Sequence, residues 1–202
     1  NGNDIYDLKF LKSTDKKNIS SLVFIESKIK HRNSSWDLDS NSENKIIQFD
    51  NNLDKVIIND LKLIANDRFI IFSALLNNKS ISELNLDFKN VNLNEFLPLY
   101  SNFKFAGSTN LSLFYKRSLN KTLLNLNSNV KDLKINNTDY GQLNISLTDN
   151  IDENNYFFNL IFFENKKNKI IQGFGEIYGE RMNFFEVNFN LNDLDLSFLS
   201  NL

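Results

Sequence analysis

Few residues of this chain have the chemistry that catalysis or metal binding usually requires. The 202-residue sequence contains no Cys and a single His, which excludes disulfides, zinc–thiolate sites, iron–sulfur clusters and thiol nucleophiles. That residue, His31, stands between Lys30 and Arg32, whose positive charges disfavour an imidazolium, and it has no second His with which to share a metal. We therefore interpret His31 as a surface residue.

Two patterns superficially resemble functional motifs. Gly173, Gly175 and Gly179 suggest a phosphate-binding loop, but a dinucleotide loop needs its third glycine three residues after the second, at the start of a helix. Here the gap is four residues, and the residues between continue a strand pattern. Asp193 and Asp195 lie on the water-facing side of an alternating segment, where neither is buried enough for general acid–base catalysis. We therefore expect no catalytic residue, no metal site and no cofactor, and a protein that is not an enzyme.

The elements that hold these residues are predicted by an alternation of apolar and polar side chains. In Leu84-Asn85-Leu86-Asp87-Phe88, as in most segments, apolar residues take one face of a strand and polar residues the other. Asn makes up about one residue in six, which we attribute to the base composition of the source genome, and it repeatedly takes the water-facing positions. We predict an all-β fold: an elongated antiparallel sheet, apolar on one face and curled into an open groove, with very little helix beyond single turns at 94–97 and 196–202.

The predicted strands are joined mostly by short polar turns, which favours antiparallel pairing between sequence neighbours. We expect loops across 33–35 and 39–44. The strands are predicted at 19–30, 45–49, 55–64, 68–76, 80–93, 103–116, 121–127, 130–136, 140–148, 155–164, 168–178 and 182–196.

Charge and hydropathy narrow the class of protein. The formal net charge of -2 argues against a general nucleic-acid binder, and no apolar run approaches the ~20 residues of a membrane-spanning helix. We divide the chain into an irregular N-terminal β segment, 1–54, and a β repeat region, 55–202. In the repeat region, 83–94 aligns with 186–197 at an offset of 103 residues. Both copies break the alternation at the same position, which predicts a β-bulge.

Large apolar residues are abundant, with 19 Phe in the sequence. The segment 156–163 is apolar at nearly every position, so both faces of this strand are apolar. Two interpretations stay open. The strand is either central and buried on both sides, or one face packs the fold while the other lines a groove for an apolar ligand such as an acyl chain.

Short strand motifs recur in a fixed order between about Val56 and Leu202. This order resembles the AsmA-like superfamily, and more closely the TamB proteins (translocation and assembly module, inner-membrane component) of Bacteroidetes-type bacteria. The motifs that carry the resemblance lie at 58–63 (INDLKL), 68–73 (RFIIFS), 84–93 (LNLDFKNVNL), 105–111 (FAGSTNL), 130–143 (VKDLKINNTDYGQL), 172–178 (QGFGEIY) and 191–197 (LNDLDLS).

The resemblance implies a function as well as a fold. Proteins of this kind are elongated, curled β-sheets with a continuous apolar groove, thought to move phospholipids between the inner and outer membranes and to support outer-membrane protein assembly. It implies a segment of a long periplasmic chain, tethered to the inner membrane through a part not present here; the first residue, Asn1, agrees with a processed or excised segment. The implied partners are phospholipid acyl chains, adjacent modules of the same chain and an outer-membrane assembly barrel protein, with no nucleic acid.

Apolar positions of the alternating strands would line such a groove. The alternative is a closed β-sandwich with a binding, adhesion or scaffold role, in which the same side chains form a dry core and leave no lipid groove. The predicted lining residues are Leu84, Leu86, Phe88, Leu111, Leu113, Leu143, Ile145, Phe158, Phe162, Val187, Phe189 and Leu191.

Overall fold

The computed structural model of the chain describes residues 4–32, 34–39, 46–96, 104–118, 122–136, 138–150, 155–163, 170–178 and 184–191. Within these residues fifteen strands join a single sheet, and every strand pair is antiparallel. The first and last strands of this sheet, β1 and β15, do not pair with each other in the described part of the chain, so the sheet stays open. The predicted all-β antiparallel fold is confirmed.

The strands differ greatly in length, from three residues at the start of the chain to fourteen in its middle. Their bounds are β1 Ile5–Asp7, β2 Phe10–Thr14, β3 Ser20–Phe24, β4 Lys28–His31, β5 Ser34–Leu38, β6 Ile46–Phe49, β7 Lys55–Ala65, β8 Arg68–Asn77, β9 Ser80–Asn92, β10 Phe105–Arg117, β11 Thr122–Ile135, β12 Thr138–Asn150, β13 Asn155–Phe163, β14 Ile170–Tyr178 and β15 Phe184–Leu191.

The first six strands form three longer strands, each interrupted once. β1 pairs with β4 and β2 pairs with β3. On their other edges, β4 pairs with β5 and β3 pairs with β6. β5 and β6 then pair with the two halves of β7. From β7 onwards each strand pairs with the next, so the whole sheet is a meander in chain order. Residues on both sides of the 54/55 boundary belong to this one sheet.

Four strand predictions were wrong. β1 and β2 lie where no strand was predicted, and the single strand predicted at 19–30 is divided into β3 and β4 by residues 25–27. β5 begins at Ser34, inside the predicted loop across 33–35, because Trp36 and Leu38 supply alternation that the two serines hide. β11 is one strand rather than two, because Ser128 continues the strand between Leu111 and Ile145 of its neighbours.

A row of bulges lies along one rim of the sheet, formed by the last residues of β9 and β11 and the first residues of β10 and β12. Asn90, Gly107, Asp132 and Gly141 have positive φ values of 53°, 127°, 51° and 78°, and the register shifts beside them. Asn, Asp and Gly adopt this conformation more readily than other residues. Bulges bend their strands, so this side, which we call the bulged rim, curls. The bulge at Asn90 is the one predicted in the first repeat copy; its counterpart beyond Leu191 lies outside the described residues.

The core is small and lies at the bulged rim. It consists of Trp36, Ala65, Ile70 and Val91, and Trp36 and Val91 are only 2% and 0% exposed. These four residues come from the neighbouring strands β5, β7, β8 and β9 and therefore line one side of the sheet. The described residues form no second sheet, and further buried apolar residues lie on β8, β11, β12 and β13: Ala74, Val130, Leu133, Leu147 and Tyr156.

One helical turn, α1 Leu93–Phe96, follows β9 and closes over this core. The Glu95 carboxylate is 5% exposed and forms an ion pair with Arg68, whose guanidinium lies 5.0 Å above the Trp36 ring. Glu95 Oε1 also accepts hydrogen bonds from Ser34 Oγ at 2.6 Å and from Asn92 Nδ2 at 2.7 Å. The turn predicted at 94–97 is thus present, one residue earlier, and the turn predicted at 196–202 lies outside the described residues. In the described residues no helix has the length and apolar character needed to cross a membrane.

Candidate functional site

The register sorts the side chains of the sheet into two faces, because residues paired across antiparallel strands point to the same side. On one side the pairs join apolar residues strand after strand, and we call this the apolar face. One of its rows crosses β7 to β14 without a charged residue: Leu61, Phe72, Leu86, Leu113, Leu126, Leu147, Phe158 and Gly175.

A second row runs parallel to the first and is also uncharged. Neighbouring strands lie about 4.8 Å apart, so the seven steps from β7 to β14 give each row a length of about 34 Å. Its members are Leu63, Ile70, Phe88, Leu111, Ser128, Ile145, Leu160 and Gly173.

All of the predicted lining residues with described side chains fall on the apolar face. Each of the eight is half-buried, neither sealed from solvent nor fully exposed. For the other four the structure describes the backbone alone: Phe162 pairs with Leu143, Val187 with Gly175, Phe189 with Gly173 and Leu191 with Ile171. The eight are Leu84, Leu86, Phe88, Leu111, Leu113, Leu143, Ile145 and Phe158.

The glycines that resembled a phosphate loop belong to strand β14. Gly173 and Gly175 pair with Leu160 and Phe158 on the apolar face. Because glycine has no side chain, the two apolar rows lack side chains on β14, and this leaves a shallow gap in the apolar face. Gly179 lies outside the described residues, and so do Asp193 and Asp195.

The segment 156–163 is not buried on both sides. Tyr156 is buried on the apolar face, and its hydroxyl donates a hydrogen bond to the Thr122 carbonyl oxygen at 2.9 Å. The next residue, Phe157, lies on the opposite face and is 46% exposed. Of the two interpretations of this strand, the fully buried one therefore does not hold at Phe157.

Two clefts lie on the opposite face, which we call the polar face. The larger, of about 830 Å³, crosses β8 to β13; we call it the amide cleft. The smaller, of about 480 Å³, crosses β13 to β15 and contains Phe157 and Phe174; we call it the aromatic cleft. Sequence reasoning missed both, because the asparagines were attributed to base composition. The amide cleft is lined by the polar residues Asp87, Lys89, Asn110, Ser112, Asn127, Ser128, Asn129, Asn144, Ser146 and Asn159, and also by Phe69, Ile71, Phe88, Leu111 and Ile145.

Two titratable groups have shifted pKa values. Asp4 accepts a hydrogen bond from the backbone N–H of Arg32 at 2.9 Å, and this bond, with the His31 ring 2.9 Å away, lowers the pKa of the Asp4 carboxyl. Burial raises the pKa of the Tyr156 phenol above its ordinary value of 10.0, and the charge of Asp149 adds to the effect. His31 is half-exposed, and among the described residues no three His, Cys, Asp or Glu side chains are grouped to hold a metal ion.

Comparison with known proteins finds no relative of this chain. No family model, no curated protein and no solved structure matches it. The resemblance to TamB-type proteins therefore rests on the strand motifs of the sequence, and the functional argument rests on the two faces of the sheet.

Proposed function

We propose that this chain is a non-enzymatic β scaffold of the TamB type, whose apolar face carries phospholipid acyl chains between the inner and outer membranes and which supports outer-membrane protein assembly from the periplasm. The observation that supports this proposal is the pair of uncharged apolar rows. Most of their side chains are half-buried, Ile70 and Leu147 are buried at 6% and 8% exposure, and the described residues form no second sheet to cover the rows.

A lipid tail fits such a surface for a simple physical reason. Burial of apolar surface is favourable by about 0.8 kcal/mol per CH₂ and needs no particular residue type. Rows of Leu, Ile and Phe therefore bind a chain at every position along their length with similar strength. A surface of this kind lets a lipid slide, whereas a deep specific pocket would hold it in one place.

The bulged rim supplies a wall for this path. There the strands bend at Asn90 and Gly107, and the ion pair between Arg68 and Glu95 is covered by the helical turn. The side chains of Arg68 and Glu95 are 16% and 6% exposed, and because their charges are paired, neither charge stands alone beside a tail that moves along the rows. An acyl chain would then run across the strands, alongside the rim.

The first edge of the sheet suggests how modules join. The edge strands β1 and β2 carry exposed apolar residues on both faces, among them Tyr6 at 61% and Leu11 at 62% exposure. An unpaired strand edge with apolar flanks favours pairing with another strand. We assign it to an adjacent module of the same long chain, which would continue both the sheet and its apolar face.

The proposal is tested by matched charge substitutions on β11. Leu126→Asp places an ionised group in the first apolar row, at a cost of several kcal/mol, and should reduce bound phospholipid at least tenfold. Asn127→Asp adds the same charge on the polar face and should leave it unchanged. The measurement is native mass spectrometry of the purified chain, together with binding of a fluorescent phosphatidylethanolamine.

Controls separate a lost site from a lost fold. Leu126→Ala keeps the face apolar and should retain most of the lipid, and far-ultraviolet circular dichroism should report the same strand content for all variants. Equal lipid loss in the Leu126→Asp and Asn127→Asp variants would contradict the proposal. A lipid-free strict monomer would favour the alternative of a binding, adhesion or scaffold module with no lipid groove.

A further inference from the structure

The polar face carries a row of hydrogen-bonding side chains at right angles to the strands. The register joins one residue from each of seven strands, β9 to β15, and six of the seven have polar side chains that are able to form hydrogen bonds. Phe174 of β14 is the seventh member. The polar residues are Asp87, Ser112, Asn127, Ser146, Asn159 and Asn188.

Both clefts lie along this row. Asn159 borders both the amide cleft and the aromatic cleft, so the two clefts meet at this residue.

The chemistry of the two clefts suits uncharged hydroxyl groups. Amide side chains both donate and accept hydrogen bonds, as hydroxyls do. Some are already held in place by one another: Asn144 Oδ1 accepts hydrogen bonds from Asn129 and from Gln142. At the other end, Glu176 and Glu186 lie directly opposite each other, and their charges would repel an anionic ligand.

Two exposed aromatic rings occupy the same end. Phe157 and Phe174 are 46% and 42% exposed on the polar face, and both line the aromatic cleft. Exposed aromatic rings beside hydrogen-bonding groups match the two sides of a pyranose, which has an apolar C–H surface and a hydroxyl rim. A sugar ring that stacks on a phenyl group would cover this apolar surface.

We propose that the polar face binds an extended, uncharged β-linked glycan along this row. Strands about 4.8 Å apart repeat hydrogen-bonding groups at a spacing comparable with the repeat of such a chain, so successive sugars meet successive strands. This site is independent of the apolar rows, because it lies on the opposite face of the sheet.

The proposal is tested by isothermal titration of the 202-residue chain with chitohexaose and cellohexaose. We expect binding of at least one of them. Phe174→Ala and Asn127→Ala should each weaken that binding at least fivefold, and Leu126→Ala, on the apolar face of the same strand as Asn127, should leave it within twofold. Oligogalacturonate, which is anionic, should bind at least tenfold more weakly.

Several outcomes would overturn the proposal. These are the absence of binding by both hexasaccharides at millimolar concentration, an equal loss in the Leu126→Ala variant, and tighter binding of the anionic glycan. Displacement of bound chitohexaose by phosphatidylethanolamine vesicles would also overturn it, since it would put lipid on the polar face. Circular dichroism of each variant checks that the fold is kept.

Discussion

Asparagine has two different roles in this sheet. At Asn90 and Asn136 it adopts positive φ values of 53° and 50°, at a bulge and at a turn. At Asn127 and Asn144 it takes regular strand positions on the polar face and lines the amide cleft. A residue type that usually disfavours strand interiors is accepted here because its side chain meets other amides and water.

The sequence was sufficient to predict residues of the apolar face, but not the arrangement of residues on the polar face. Alternation around Leu84, Leu86 and Phe88 was sufficient to identify one face of β9. No pattern in the sequence reveals that Asn127, Asn159 and Phe174 lie in one row across the strands, because this depends on the register of four strands. Register follows from the lengths of the turns and the positions of the bulges, which a pattern of period two does not contain.

Tyr156 makes stability depend on alkaline pH. Its pKa is raised in the folded state, so its contribution to stability is fully present below the unfolded value of 10.0 and is lost as pH rises through the folded value. We expect the free energy of unfolding, measured with urea between pH 8 and 11, to fall above pH 10. Tyr156→Phe should reduce that fall and cost about 1 kcal/mol at neutral pH, because the hydrogen bond to Thr122 is lost.

The exposed Tyr6 offers the matched control. Tyr6→Phe should leave both the neutral-pH stability and its alkaline loss unchanged. An identical pH profile for the parent chain and the Tyr156→Phe variant would contradict the role assigned to Tyr156.

At the scale of elements, bulges shape the sheet more than helices do. The described residues contain one helical turn, whereas four strands in succession change register at the bulged rim. Sequence analysis predicted the bulge at Asn90, because there the apolar pattern slips between Phe88 and Val91. It did not predict those at Gly107 and Asp132, because Ala106, Ser108 and Lys131 supply no apolar alternation to interrupt.

Gly107 is the bulge residue with the least tolerance for a side chain. A Cβ atom there would lie 2.7 Å from the Lys131 carbonyl oxygen, and its φ of 127° is strained for any other residue. We expect Gly107→Ala to lower the free energy of unfolding by about 1–3 kcal/mol, measured by urea denaturation. The neighbouring Ser108→Ala should change it by less than about 0.5 kcal/mol; equal effects would mean that the backbone at Gly107 is not constrained.

For the whole molecule, the open edges predict association. The apolar residues of β1 and β2 are exposed at an edge that pairs with no further strand in the described part of the chain. We expect concentration-dependent self-association of the isolated chain in sedimentation velocity experiments. Leu11→Lys should weaken it at least tenfold, because a charged edge strand resists pairing.

Leu53 provides a matched control, since it is also about half exposed, at 52%, but lies in the turn between β6 and β7. Leu53→Lys adds the same charge away from the edge and should leave association unchanged. A strict monomer at all concentrations would count against the assignment of this edge to an adjacent module.

Because of the meander order, the length of the sheet is set by the number of its strands. Since every strand, counting each interrupted strand as one, pairs only with its neighbours in the chain, adding a hairpin lengthens the sheet by two strand spacings, about 10 Å, and disturbs no other pair. Two added strands preserve the alternation, so both faces would continue in phase. The distance that such a protein spans would then be set by the number of its hairpins, and evolution could match it to the gap to be bridged by duplicating or deleting them one at a time.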